Sequence, residues 1–184
     1  MFGLFDRLFR PNAEREVARS LYADIVRQAR QPAFYTALGV PDTPTGRFDL
    51  LALHGFLVLQ RLRADPAAKA VARSVAETLV EDIDHNLREM GEGDLAVGKK
   101  VKSLTQGAYG RMEAYLAALD EPDPAALEAV LLRNLYAERS PGPAILGGVA
   151  GYVRRETVSL AGQPTEALMA GNVRFGPPPA PEAA

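Results

Sequence analysis

The run Gly46–Arg63 (GRFDLLALHGFLVLQRLR) sets the tightest limit on what this chain can fold into. At 3.6 residues per turn, Leu50, Leu51, Leu53, Phe56, Leu57, Val58, Leu59 and Leu62 cover nearly the whole circumference. A helix that is apolar all round has to be covered on several sides. The bilayer is not that cover, because a membrane-spanning helix takes about 18 or more apolar residues. Here Leu50–Leu59 already holds His54 and Gly55 and runs into Gln60-Arg61. The run therefore predicts a central helix wrapped by other helices.

The rest of the chain supplies the wrapping. Asn12 is placed to cap a helix reaching about Arg30, with Val17, Leu21, Ile25 and Ala29 at helical spacing. Pro11 separates it from Met1–Arg10, and Pro32 and Gly39 bracket a short segment, Ala33–Leu38. Thr43 before Pro44, or Thr45 before Gly46, caps the central helix. Asp65-Pro66 opens a helix striped by Val71, Val75, Leu79, Ile83, Leu87 and Met90, which Gly91 ends. Asp94 opens another, through Val97, Val101, Leu104, Ala108, Tyr115 and Leu119. Asp123-Pro124 and Pro141-Gly142-Pro143 start two more, the second carrying Ile145, Val149, Tyr152 and Val153 inward. Strand alternation is almost missing, and no repeat is visible. The expected fold is all-α: a single-domain bundle of six or seven helices around residues 46–63. The domain spans 11–175, preceded by an amphipathic segment, 1–10. Residues 176–184 (GPPPAPEAA) form a tail too poor in apolar area to order itself.

Composition and motifs exclude most chemistry. With no Cys there are no disulfides, thiol nucleophiles or thiolate metal sites. A net charge of −2 gives no basic footprint for nucleic acid. Met1–Arg10 has neither a long apolar core nor a cleavage site, so it is not a secretory signal. Gly93–Lys100 fits G-x-x-x-x-G-K, but Lys100 stands where a phosphate loop needs Ser or Thr for Mg²⁺, and no strand precedes it. A helix end, a turn and a new helix start explain it better. Glu81, Asp82 and His85 share a helical face, yet a di-iron bundle needs two Glu-x-x-His motifs, and His54 has no acid three or four residues before it. No Ser–His–acid spacing supports a hydrolase. No metal, no cofactor and no catalytic residue is expected. His54, among Leu and Phe, is either a core histidine with satisfied nitrogens or the lining of a ligand pocket.

Two strings carry a resemblance. Leu38–Thr43 (LGVPDT) is followed by Gly46-Arg47-Phe48-Asp49-Leu50 and His54. Asp82–Asp94 (DIDHNLREMGEGD) runs into Val97–Lys102 (VGKKVK) and Ala108-Tyr109-Gly110-Arg111. Together they resemble the ubiquinol–cytochrome c chaperone family over most of residues 20–160. The resemblance implies a non-enzyme, an assembly factor that binds newly made cytochrome b for respiratory complex III and works with a small partner protein. Because no long targeting extension is present, the chain looks like a bacterial member, cytoplasmic and peripheral to the inner membrane. The resemblance and the charge pattern mark Arg47, Asp49, His54, Asp84, Arg88, Glu89, Asp94, Lys99, Lys100, Lys102, Tyr109 and Arg111 as expected client-contacting residues. The acidic stretch before Asp94 and the basic stretch after it offer complementary surfaces.

Phe2, Phe5, Leu8 and Phe9, flanked by Arg7 and Arg10, have two readings. They fold back on the core, or they lie in a membrane interface. An alternative function is a helical lipid- or quinone-binding protein with an apolar cavity beside His54.

Overall fold

A computed structural model describes the backbone of residues 3–89, 94–137 and 139–180, and the side chains of 13–89, 96–137 and 139–180. Among these residues there is no strand. The order is α1 (Gly3–Ala29), α2 (Pro32–Thr36), α3 (Pro44–Arg63), α4 (Lys69–Glu89), α5 (Asp94–Asp120), α6 (Pro124–Leu135), α7 (Pro143–Ala161) and α8 (Thr165–Met169). A short 3₁₀ turn, Pro66–Ala68, leads into α4.

The caps follow local chemistry. Thr43 is extended and its hydroxyl accepts from Gly46 N at 3.1 Å, so it, and not Thr45, starts α3. The Asp65 and Asp123 carboxylates accept from Ala67 N and Ala125 N, each at 2.9 Å, ahead of a proline with no N–H to satisfy. Gly46 sits so near the preceding loop that a Cβ there would lie 2.0 Å from the Pro41 carbonyl oxygen.

Helix α3 is the axis of the bundle, packing against α1, α4, α5, α6 and α7. Leu50, Leu53, Leu57, Val58, Leu59 and Leu62 are fully or almost fully buried, so neighbours cover this helix on most sides. Around it lie Leu21 and Ile25 of α1, Val71 and Val75 of α4, Tyr115 of α5, Leu127 and Leu131 of α6, and Val149 and Val153 of α7. A second, smaller cluster of Ile83, Leu87 and Val97, with Phe48, Val101 and Leu104, holds the far end of the α4–α5 pair.

Two boundaries differ from the sequence expectation. Pro11 does not interrupt the chain: α1 is continuous from Gly3 to Ala29, and no cap falls at Asn12. Proline removes one i→i−4 bond but keeps a helical φ, so a helix anchored by buried Ala18, Leu21 and Ile25 extends through it. Nor is the chain free from Gly176 onward. Gln28 Nε2 donates to the Gly176 carbonyl at 2.8 Å, Gly176 N donates to Glu156 Oε2 at 2.8 Å, and Arg155 Nη2 donates to the Pro177 carbonyl at 2.7 Å. Side chains of α1 and α7 hold this strap by its backbone, so it needs little apolar area of its own. Residues 181–184 lie outside the described part.

Candidate functional site

At the end of the bundle where the main core gives way to the smaller cluster, four helices leave a groove of about 480 Å³. Its floor is Val26, Phe48, Leu51, Ile83, Leu87 and Leu104. Its charges are sorted by element. Helix α1 and the residue after it contribute Tyr22 and Arg30, α3 contributes Arg47, α4 contributes Asp82, Asn86 and Glu89, and α5 contributes Arg111.

Each of these charges except Arg30 has a local hold. Arg47 Nε lies 2.6 Å from Asp42 Oδ1, an exposed pair that keeps the Asp42 carboxyl below its usual range. Asn86 Nδ2 donates to Asp82 Oδ2 at 2.8 Å. Glu89 Oε1 lies 3.2 Å from His85 Nε2. Burial, with the Asp82 carboxylate adding to it, pushes the Tyr22 phenol up. Arg111 reaches down to Asp49, Nη2 to Oδ1 at 3.2 Å, with its guanidinium carbon 5.9 Å from the Phe48 ring centroid. Asp49 is 6% exposed, and burial pushes its carboxyl up to about 6 against the opposing pull of Arg111. Among the described residues, Arg111 Nε is buried without a hydrogen-bond partner.

The expected client-contacting residues do not form one patch. The structure brings Arg47, Glu89 and Arg111 to the groove, with Asp49 beneath. Arg88 and Asp84 pair with one another on the outer face of α4, at 2.7 and 3.3 Å. Lys99, Lys100 and Lys102 are exposed on the first turns of α5. Tyr109, 46% exposed, borders a separate, wholly apolar cleft of about 30 Å³ with Leu79 and Met112. The side chain of Asp94 lies outside the described residues, as do Phe2 and the side chains of Phe5, Leu8 and Phe9. The charge pattern missed Tyr22, Arg30 and Phe48. The signal was a second apolar strip on α1, Tyr22 and Val26, beside the buried stripe; residues half-covered in this way border an opening.

His54 is not at a surface. It is fully buried and both ring nitrogens are bonded. Because Leu50 O only accepts, Nδ1 carries the proton and donates to it at 2.8 Å. Tyr152 Oη then donates to Nε2 at 2.9 Å and accepts from Gln28 Nε2 at 2.9 Å. Phe34, Tyr152 and Phe175 pack around the imidazole with centroids 5.2, 5.8 and 5.4 Å away. Aromatic rings occupy the space where a cavity beside His54 was an alternative. The described groove and the apolar cleft both lie elsewhere.

Burial pushes the His54 imidazolium down to about 4. A depressed histidine supports the fold fully above its unfolded value of 6.5 and loses that support as pH falls toward 4, about 3 kcal/mol in all. Asp49, raised to about 6, acts the other way: its neutral form is favoured in the fold, so its contribution is lost as pH rises through 6. Urea midpoints at pH 7 and pH 4 should therefore show a steeper acid loss in Asp49→Asn than in the wild type. An equal or shallower loss contradicts the assignment.

Among the described residues, no three His, Asp or Glu converge to hold a metal, and no helix is long and apolar enough to cross a membrane. Comparison with known proteins places this architecture. Residues 36–175 match the family described as ubiquinol-cytochrome C chaperone. The chain is 25% identical over 144 residues to ubiquinol-cytochrome-c reductase complex assembly factor 1 of Xenopus laevis, covering 78% of this chain and 72% of that protein. The Mus musculus counterpart is 25% identical over 162 residues, 87% of this chain and 55% of the relative, so the chain spans about half that protein's length. The crystal structure of the Cbp3 homolog from Brucella abortus superposes with a TM-score of 0.82 at 39% identity, covering 95% of this chain and 97% of that one. The family match includes Arg47, Phe48, Asp82, Glu89 and Arg111 of the groove and helices α3 to α8, and on that ground the chain belongs to the ubiquinol–cytochrome c chaperone family.

Proposed function

We propose that the protein is a non-catalytic assembly chaperone that binds newly made cytochrome b and aids biogenesis of the ubiquinol–cytochrome c reductase complex. Membership of the chaperone family over residues 36–175 carries this reading. The site supports it in kind: the groove joins an apolar floor to charged walls, which suits holding a polypeptide segment. The work is done at the cytoplasmic face of the inner membrane, with a small partner protein in reach of the same domain. Removing the protein from its host should lower assembled complex III several-fold while leaving the other respiratory complexes intact. Normal reductase activity and normal cytochrome b spectra would refute the reading.

Membrane proximity is proposed to come from the start of α1. Phe5, Leu8 and Phe9 fall at three- and four-residue spacing, with Arg7 and Arg10 between and after them. A single short amphipathic segment gives marginal, reversible attachment that anionic lipid strengthens. Replacing Phe5 and Phe9 with Ser should therefore release the protein from anionic vesicles in a sedimentation assay without changing its circular dichroism. Unchanged sedimentation contradicts the proposal.

A further inference from the structure

We infer that the groove selects its client segment by charge order: apolar side chains on the floor, carboxylates toward α1 and α3, and Lys or Arg toward α4. The inference rests on the chaperone reading and specifies what that site recognises.

The groove is not simply cationic. Arg30 and Arg47 come from the end of α1 and the start of α3, and Asp82 and Glu89 from α4. Between them the floor of Val26, Phe48, Leu51, Ile83, Leu87 and Leu104 is apolar. A floor of that kind, at about 480 Å³, has room for the apolar anchors of one amphipathic segment. A quinone or fatty acid presents one polar end, which leaves the charges of one wall without a counterpart. A polypeptide with an acidic edge and a basic edge meets both.

The local pairs fit a site that exchanges partners. Arg47–Asp42 and His85–Glu89 are exposed, and surface pairs of this kind are weak and readily opened. Arg30 makes no ion pair among the described residues. Arg111 is different: it is tied to buried Asp49 and lies over Phe48, which holds it in place in the groove. Because the cations come from α1 and α3 and the carboxylates from α4, direction is set as well: a segment inserted the other way round meets like charges.

The test uses the full chain and overlapping synthetic peptides spanning cytochrome b, with binding read by fluorescence anisotropy. Peptides that bind should carry an acidic residue beside an apolar run. Arg30→Glu with Arg47→Glu should weaken them about tenfold, and exchanging the peptide's acidic residue for Lys should restore binding to that variant. The variant's melting temperature should stay near the wild type, since both arginines are exposed. Peptide binding that ignores the charge reversal, or rescue that fails while the variant is folded, overturns the inference. Binding of anionic phospholipid vesicles in the groove, with no peptide bound, does so as well and assigns the site to lipid. The chaperone reading is judged separately, by whether intact cytochrome b co-purifies with the wild-type chain. If it does and the charge reversal has no effect on that capture, the charge order fails and the function stands.

Discussion

Replacing Phe34 with Ala should lower the unfolding free energy by about 3–5 kcal/mol. The ring is fully buried and meets His54 and Tyr152 edge-on, at centroid distances of 5.2 and 5.5 Å. Its loss leaves a cavity against a polar network whose every member is positioned by packing. Domains of this size are stable by only about 5–15 kcal/mol, so the variant should be partly unfolded at moderate temperature. Tyr152→Phe tests the network from the other side. It keeps the ring but strips the donor from His54 Nε2, and an unsatisfied buried acceptor costs about 1–3 kcal/mol. Urea unfolding measures both. A Phe34→Ala loss no larger than that of Tyr152→Phe would mean that this side of the core is not packed as described.

Gly46→Ala should destabilise by about 1–3 kcal/mol or more, against the usual gain when Ala replaces Gly in a helix. The new methyl would lie 2.0 Å from the Pro41 carbonyl oxygen, which is backbone and cannot rotate away. Either the Pro41–Thr43 loop moves or the first turn of α3 does, and that turn carries Arg47 and Phe48 to the groove. Client binding should therefore fall by more than the stability loss alone accounts for. Gly98→Ala is the matched control: nothing lies within 4 Å of a Cβ there, so it should stabilise by up to about 1 kcal/mol. Thermal melts of the two variants together show whether close approach, and not helix propensity, sets the outcome at Gly46.

Helix existence and the central role of α3 were legible because both rest on chemistry within a few residues. An all-round apolar face admits only a covered helix, and Thr43, Asp65 and Asp123 announce the starts that their side chains cap. What sequence spacing missed depends on distant partners. Continuity through Pro11 is set by how firmly the rest of α1 is anchored, which no local pattern reveals. The strap at Gly176 is held by Gln28, Arg155 and Glu156, far away in sequence. The groove gathers residues from Tyr22 to Arg111 on four helices, so its members share no motif. Charge clustering found Arg47, Glu89 and Arg111 but joined to them Lys99, Lys100 and Lys102, which do not line it. His54 stands out in the sequence because it is polar in an apolar run. The run was the better guide, since burial and two bonds make it part of the core.

The proposed function requires that this chain holds cytochrome b before the reductase complex is complete. The direct measurement is to pulse-label cells, capture the tagged protein from gently solubilised membranes, and follow labelled cytochrome b through a chase. Labelled cytochrome b should be captured early and leave as labelled mature complex appears, and capture should fall in the Arg30→Glu, Arg47→Glu variant. Absence of cytochrome b from the captured material at every time, with complex III assembling at its normal rate, would contradict it.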